Sequence, residues 1–164
     1  MASGDTLAVF SPSANEPPAT AFATLDTRNA HTVLDFDTTT QEAAIFKGVM
    51  PRHYSGGGIT VYVHASLTSA VTGTLGWGVT FERVSDSIQD IDADGFATEQ
   101  IITAATVPAT SGFVSILNVA ITAGAAGTDS VAAGDGYRLR IQRDVANDTA
   151  AGDAELWAVE VKET

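Results

Sequence analysis

Hydrophobic and polar residues alternate with a period of two through most of this chain, the signature of strands that bury one face and show the other to water. The clearest run is Leu75, Trp77, Val79 and Phe81, interleaved with Gly76, Gly78, Thr80 and Glu82. Its two glycines leave room on the second face for a close neighbour. A triple glycine, Gly56 to Gly58, launches another strand, in which Ile59, Val61, Val63 and Ala65 alternate with Thr60, Tyr62 and His64. Shorter strand signals lie around Phe22, over 31–36, and over 44–49, where Pro51 stops the run. Over 111–122, Phe113, Leu117, Val119 and Ile121 fall on one side, with Val114, Ile116 and Ala120 on the other. Apolar residues on both sides predict burial on both, inside a sandwich or in a subunit contact.

The last quarter reads as a closing pair of strands. Tyr137, Leu139 and Ile141 alternate with Arg138, Arg140 and Gln142, and Trp157, Val159 and Val161 with Ala158, Glu160 and Lys162. That parity puts Leu139, Ile141, Trp157, Val159 and Val161 in the core. It leaves Arg138, Arg140, Leu156 and Glu160 on a face available to another subunit. No amphipathic helix longer than about two turns is evident, and no repeat of fixed period appears. About eight short strands with Gly-, Ala-, Ser-, Asp- and Thr-rich connections predict an all-β, single-domain antiparallel β-sandwich of jelly-roll type over 20–164. Residues 1–19 read as an extended N-terminal arm, in which Leu7, Val9 and Phe10 could add a short strand while Pro12, Pro17 and Pro18 punctuate the rest. Such an arm wraps its own domain or laces to a neighbouring subunit, so Phe10, Pro17 and Pro18 join the interface candidates.

Composition narrows the partners. Twenty acidic residues against eight basic ones give a net charge of −12, which repels nucleic acid phosphates. No apolar run approaches the ~20 residues of a membrane span. There is no basic n-region or apolar h-region at the N-terminus, so the expectation is a soluble product that is not secreted. The 164 residues contain no cysteine, which rules out disulfides and thiolate metal sites.

Candidate chemistry is thin. Asp90, Asp92, Asp94 and Gly95 match the first half of an EF-hand loop, but its twelfth position falls on Ile101 where a bidentate Glu is required. A solvated acidic turn is the simpler reading of that stretch. His31, His53 and His64 are scattered. The stretch from Tyr54 to Gly58 has neither G-x-S-x-G spacing nor the Gly-Lys-Ser/Thr of a phosphate loop. With so many carboxylates available, any glycosidase-like pair is unconstrained. The expectation is therefore no catalytic residue, no metal and no cofactor.

The closing segment YRLRIQRDVANDTAAGDAELWAVEVKET resembles C-terminal β-hairpins of small β-rich virion proteins of tailed bacteriophages. The segments NEPPATAFATLDTRNAHTVLDFD and MPRHYSGGGITVYVHAS look similar to proteins of the same type. Within that class the resemblance implies a capsid decoration (cement) protein. Such a protein is a homotrimer on the outside of the virion, made in the host cytoplasm and bound to the major capsid protein. A carbohydrate- or receptor-binding module of a phage particle is the alternative, with Tyr62, Trp77 and Trp157 as candidate platforms. Both tryptophans fall on the apolar side of their strands, which favours the core for each.

Overall fold

The computed structural model describes residues 4–164. Ten strands run β1 Thr6–Phe10, β2 Thr24–Arg28, β3 His31–Phe36, β4 Ala43–Val49, β5 Ile59–Leu67, β6 Thr74–Val84, β7 Gln100–Thr106, β8 Ser115–Ile121, β9 Gly136–Arg143 and β10 Ala154–Glu163. Every strand pairing is antiparallel. One sheet has the order β2-β3-β10-β5-β8, with β1 also on β10, and the other has the order β4-β9-β6-β7. The expected jelly-roll β-sandwich is the fold observed, with ten strands rather than about eight.

The two inner faces supply the core in the alternation that the sequence displays. Val61, Val63 and Ala65 of β5 and Leu34 and Phe36 of β3 meet Leu75, Trp77, Val79 and Phe81 of β6 and Leu139 and Ile141 of β9. Trp77 is fully buried and sets its ring edge-on to Phe36 at 5.0 Å, an arrangement that aromatic quadrupoles favour.

Of the segment 1–19, residues 1–3 lie outside the described residues, and from residue 4 on the chain lies against its own domain. Thr6–Phe10 is a strand of the first sheet, paired with residues 159–162 of β10, while β3 pairs with 154–156 on the same edge. Phe10 is buried and stacks on Phe46 at 5.3 Å. It is a core residue of its own chain and is unavailable to a neighbour. The reason is local: β3 reaches only 154–156 of β10, and β1 pairs with the backbone of the same edge beyond it while Leu7 and Phe10 turn into the core. Beyond a 3-10 turn at Pro12–Ala14, Pro17 is exposed and Pro18 half-buried, outside any strand.

The β9–β10 connection is organised by Arg143, whose side chain is fully buried. Its Nε and Nη2 donate to Asp148, and the remaining N–H groups go to the carbonyls of Phe36, Gly152 and Ala150. All five guanidinium donors are thereby used, which makes a buried charge tolerable. This loop delivers the chain to the start of β10.

Candidate functional site

The first strands of the larger sheet and the bulge in β10 create a groove on that sheet's outer face. In β10 the register against β5 slips between Leu156 and Ala158. One extra residue is thereby inserted, and the in–out parity reverses across it. Ala154 and Leu156 point inward before the bulge, Val159 and Val161 after it, and Trp157 is left outside with 44% of its surface exposed. The expected parity of Leu156 and Trp157 is therefore inverted. Leu156 is fully buried and is no interface residue, whereas Trp157 is a surface aromatic. Its ring lies 6.3 Å from that of His64, which points out from β5.

Beside Trp157 is a groove of about 500 Å³ lined by Arg28, Asn29, His31, Val33, Ser66, Gly112 and Val114. Val33 and Ser66 are its buried floor. Arg28, Asn29 and His31 come from the β2–β3 hairpin, whose tip residues Asn29 and Ala30 have φ of 46° and 64°. Both tip residues in the left-handed region make the tight reversal that suits the twist of paired strands. Gly112 and Val114 come from the loop ahead of β8.

Arg28 is held from behind. Its Nη1 donates to the carbonyl of Leu67 at 2.6 Å and pairs with Glu155, which also accepts a 3.0 Å hydrogen bond from Ser66 Oγ. Among the described residues, Nε and Nη2 of Arg28 have no partner, and the side chain is about one-third exposed. Next to this pair lies Asp35, the cross-strand neighbour of Glu155. Burial, followed by repulsion from Asp153, Glu155, Asp26 and Glu42, pushes the Asp35 carboxyl up from 3.8 to about 6. Its Oδ1 is buried without a hydrogen bond.

The outer face of the smaller sheet is covered in part, over β6 and β9. The connection between β6 and β7 crosses it as a strap, pinned where Ala97 N–H donates to the Phe81 carbonyl at 2.7 Å. Phe96 lies under the guanidinium groups of Arg138 and Arg140, at 4.9 and 5.1 Å from its ring centre. Glu99 accepts from Gln142, and its side chain sits over Gly78, where a Cβ would collide with it. Arg138 also pairs with Glu82, which is 1% exposed. The two arginines expected at a subunit face thus serve their own chain's strap. Glu160 accepts from Thr6 Oγ1 at 2.8 Å and also has a partner within the chain.

One further expectation changes. Val114 and Ile116 lie on the outer side of the edge strand β8 or just ahead of it and are about half exposed, so that side is not covered within the chain. Asp90 accepts the backbone N–H of Asp92 in a turn, and no cluster of three metal-capable side chains forms among the described residues. Of the candidate platforms, Trp77 is core, Tyr62 is half-buried on the outer face of β5, and Trp157 borders the groove. Sequence reasoning missed Arg28, Asn29 and Ser66 altogether. The Asn29-Ala30 pair between two short strand signals was the available hint of a hairpin.

No family model matches the sequence, and no curated protein matches it. Solved structures do. A family 35 carbohydrate binding module from an environmental isolate superposes with a TM-score of 0.55 at 9% identity, over 94% of this chain and 92% of its own. The CBM22-1 xylan-binding domain from Paenibacillus barcinonensis Xyn10C gives 0.55 at 11% identity, over 99% and 97%. The CBM22-1-GH10 modules of a Clostridium thermocellum endo-1,4-beta-D-xylanase, complexed with xylohexaose, give 0.57 at 10% identity over 98% of this chain. This chain spans only 29% of that larger structure. At such identities the likeness is one of fold.

Proposed function

We propose that this chain is a carbohydrate-binding jelly-roll module whose sugar site is the groove beside Trp157. The observation that carries the reading is the β10 bulge. It turns a large aromatic side chain out of a core that would otherwise take it, and sets it at the rim of a concavity of the size that small ligands occupy. An indole face packs against the C–H face of a pyranose, and the apolar surface so buried contributes roughly 25 cal/mol per Å². Polar groups at the groove's end, Arg28, Asn29, His31 and Ser66, would accept or donate hydrogen bonds to ring hydroxyls. The fold likeness to carbohydrate-binding modules supports the reading without specifying the sugar.

Native affinity electrophoresis through gels containing soluble polysaccharides tests it. The wild-type chain should be retarded by at least one glycan, and Trp157→Ala should run about as freely as in a blank gel. Equal retardation of both proteins, or none of the wild type across a broad panel, would overturn the proposal. Capsid decoration, homotrimer formation and attachment to a major capsid protein rest on sequence resemblance alone, and no feature of the groove adds to them. A phage particle is one setting in which a glycan-binding module of this kind would serve.

A further inference from the structure

We infer that the groove selects neutral glycans over acidic or cationic ones, and that Arg28 is its specificity-determining residue, reading two oxygens on neighbouring carbons of a sugar ring. The inference rests on the carbohydrate reading above and names the ligand class of that same groove.

The argument begins with which donors of Arg28 are already used. Nη1 is committed to the Leu67 carbonyl and to Glu155, and these partners fix the plane of the guanidinium. The opposite edge, carrying Nε–H and one Nη2–H in parallel, has no protein acceptor among the described residues. Gly112 leaves the face of the guanidinium open beside Nη2, since a Cβ at this position would stand 3.3 Å from Nη2, 3.7 Å from Cζ and 4.0 Å from Nε. A planar fork of two parallel donors suits either a carboxylate or a pair of adjacent ring oxygens. Geometry alone does not separate the two.

Charge separates them. Arg28 is neutralised by Glu155, a carboxylate that is itself only 6% exposed. One cross-strand step away is Asp35, with Asp26, Asp153 and Glu42 acting on it, and no lysine or further arginine lines the groove. His31 is the one other titratable side chain of the lining. A ligand carboxylate or sulfate placed on the free edge of Arg28 would face this cluster in a chain of net charge −12. A hydroxyl pair accepts the same two hydrogen bonds without that repulsion. An amino sugar is disfavoured on this edge for a different reason, because a protonated amine has no lone pair to accept from the fork. Trp157, across the groove, supplies an apolar face that is indifferent to charge and takes the ring's C–H side.

The test is an array of neutral, uronic-acid-containing, sulfated and amino-sugar oligosaccharides, followed by calorimetric titration of the strongest binder. Wild type should select neutral glycans, with a Kd unchanged between low and high salt, because no ligand charge is there to screen. Arg28→Lys keeps the charge but loses the fork, and should weaken binding about tenfold or more. Gly112→Val adds bulk over the guanidinium face beside Nη2, crowding a ring that approaches the free edge while leaving the Arg28–Glu155 pair intact. It should weaken binding similarly at an unchanged melting temperature, which separates loss of recognition from loss of fold. Selection of acidic or amino glycans, or affinity that falls with salt, would overturn the neutral class. Unaltered affinity in both Arg28→Lys and Gly112→Val would overturn the role of Arg28. Failure of the wild type to bind any glycan, or binding indifferent to Trp157→Ala, would instead sink the carbohydrate reading itself.

Discussion

The two outer faces of the sandwich are treated in opposite ways. On the smaller sheet, Thr80, Glu82 and Gln142 point away from the core yet are buried, because the strap between β6 and β7 lies across them with Phe96 and Glu99. On the larger sheet, Trp157 and Ile116 point the same way and stay exposed, with the groove beside them. A polar face is largely covered, while a face that sets Trp157 and Ile116 among polar side chains is left open. Solubility alone would favour the reverse. An exposed aromatic side chain beside a groove with convergent polar groups is the arrangement that marks a contact site, so the open face is where function is sought and the strapped face is where stability is.

The sharpest way to break this contrast is through the two tryptophans. Trp77 is fully buried against Phe36. Replacing it by Ala should cost about 3–5 kcal/mol, read from the midpoint of urea unfolding. Trp157→Ala should change stability by no more than about 0.5 kcal/mol. A large destabilisation by Trp157→Ala would make that residue part of the packing and remove the ground for treating its face as a ligand site.

Removing the strap's anchor tests the other half of the comparison. Phe96→Ala deletes a ring that two guanidinium groups cover, and cation–π contacts at such partly exposed sites contribute about 0.5–1 kcal/mol each. The expected loss is about 1–2 kcal/mol, with faster proteolytic cleavage between 85 and 99. Glycan affinity should stay unchanged, since the groove is on the other sheet. A change in affinity would mean that the two faces communicate through the core.

Most of the architecture was legible in the alternation of side chains. The strands of β5, β6 and β9 and their core faces follow from it directly, because an unbroken strand keeps its parity from end to end. The site was not legible, for the same reason in reverse. Periodicity carries no mark of the extra residue at Trp157, which satisfies the pattern Trp157-Val159-Val161 and yet points outward. The two arginines of β9 were correctly placed on an outer face, but what covers that face comes from a strap some forty residues earlier. Phe10 was misplaced as an interface candidate although Leu7, Val9 and Phe10 signalled a short strand, because nothing in that segment shows that β10 offers the strand an edge. Arg28 escaped notice because nothing in its own segment shows that Glu155 and the Leu67 carbonyl will meet it.

The smallest expected effect concerns how the open face tolerates its own charge. Asp35 and Asp37 are two residues apart and shifted in opposite directions. Burial and four neighbouring carboxylates raise Asp35 to about 6, while hydrogen bonds from the backbone N–H groups of Thr40 and Thr39 and the Thr39 hydroxyl lower Asp37 to about 2. For Asp35 the folded state holds its proton more tightly than the unfolded chain, whose value is 3.8. Protons are therefore released on unfolding between about pH 4 and 6, stability falls as pH rises through that window, and the penalty is complete above about 6. Asp37 contributes in the other sense, and its contribution disappears as pH falls from about 4 towards 2. Asp35→Asn removes the first dependence. It should raise stability at pH 7 by about 1 kcal/mol once solvent screening of a half-exposed group is allowed for, and by almost nothing at pH 4. Thermal melts of both proteins across this range read the difference directly. A variant no more stable than wild type at pH 7 would show that Asp35 sits in a less hostile field than its four acidic neighbours imply, and would weaken the charge argument for neutral ligands in the adjoining groove.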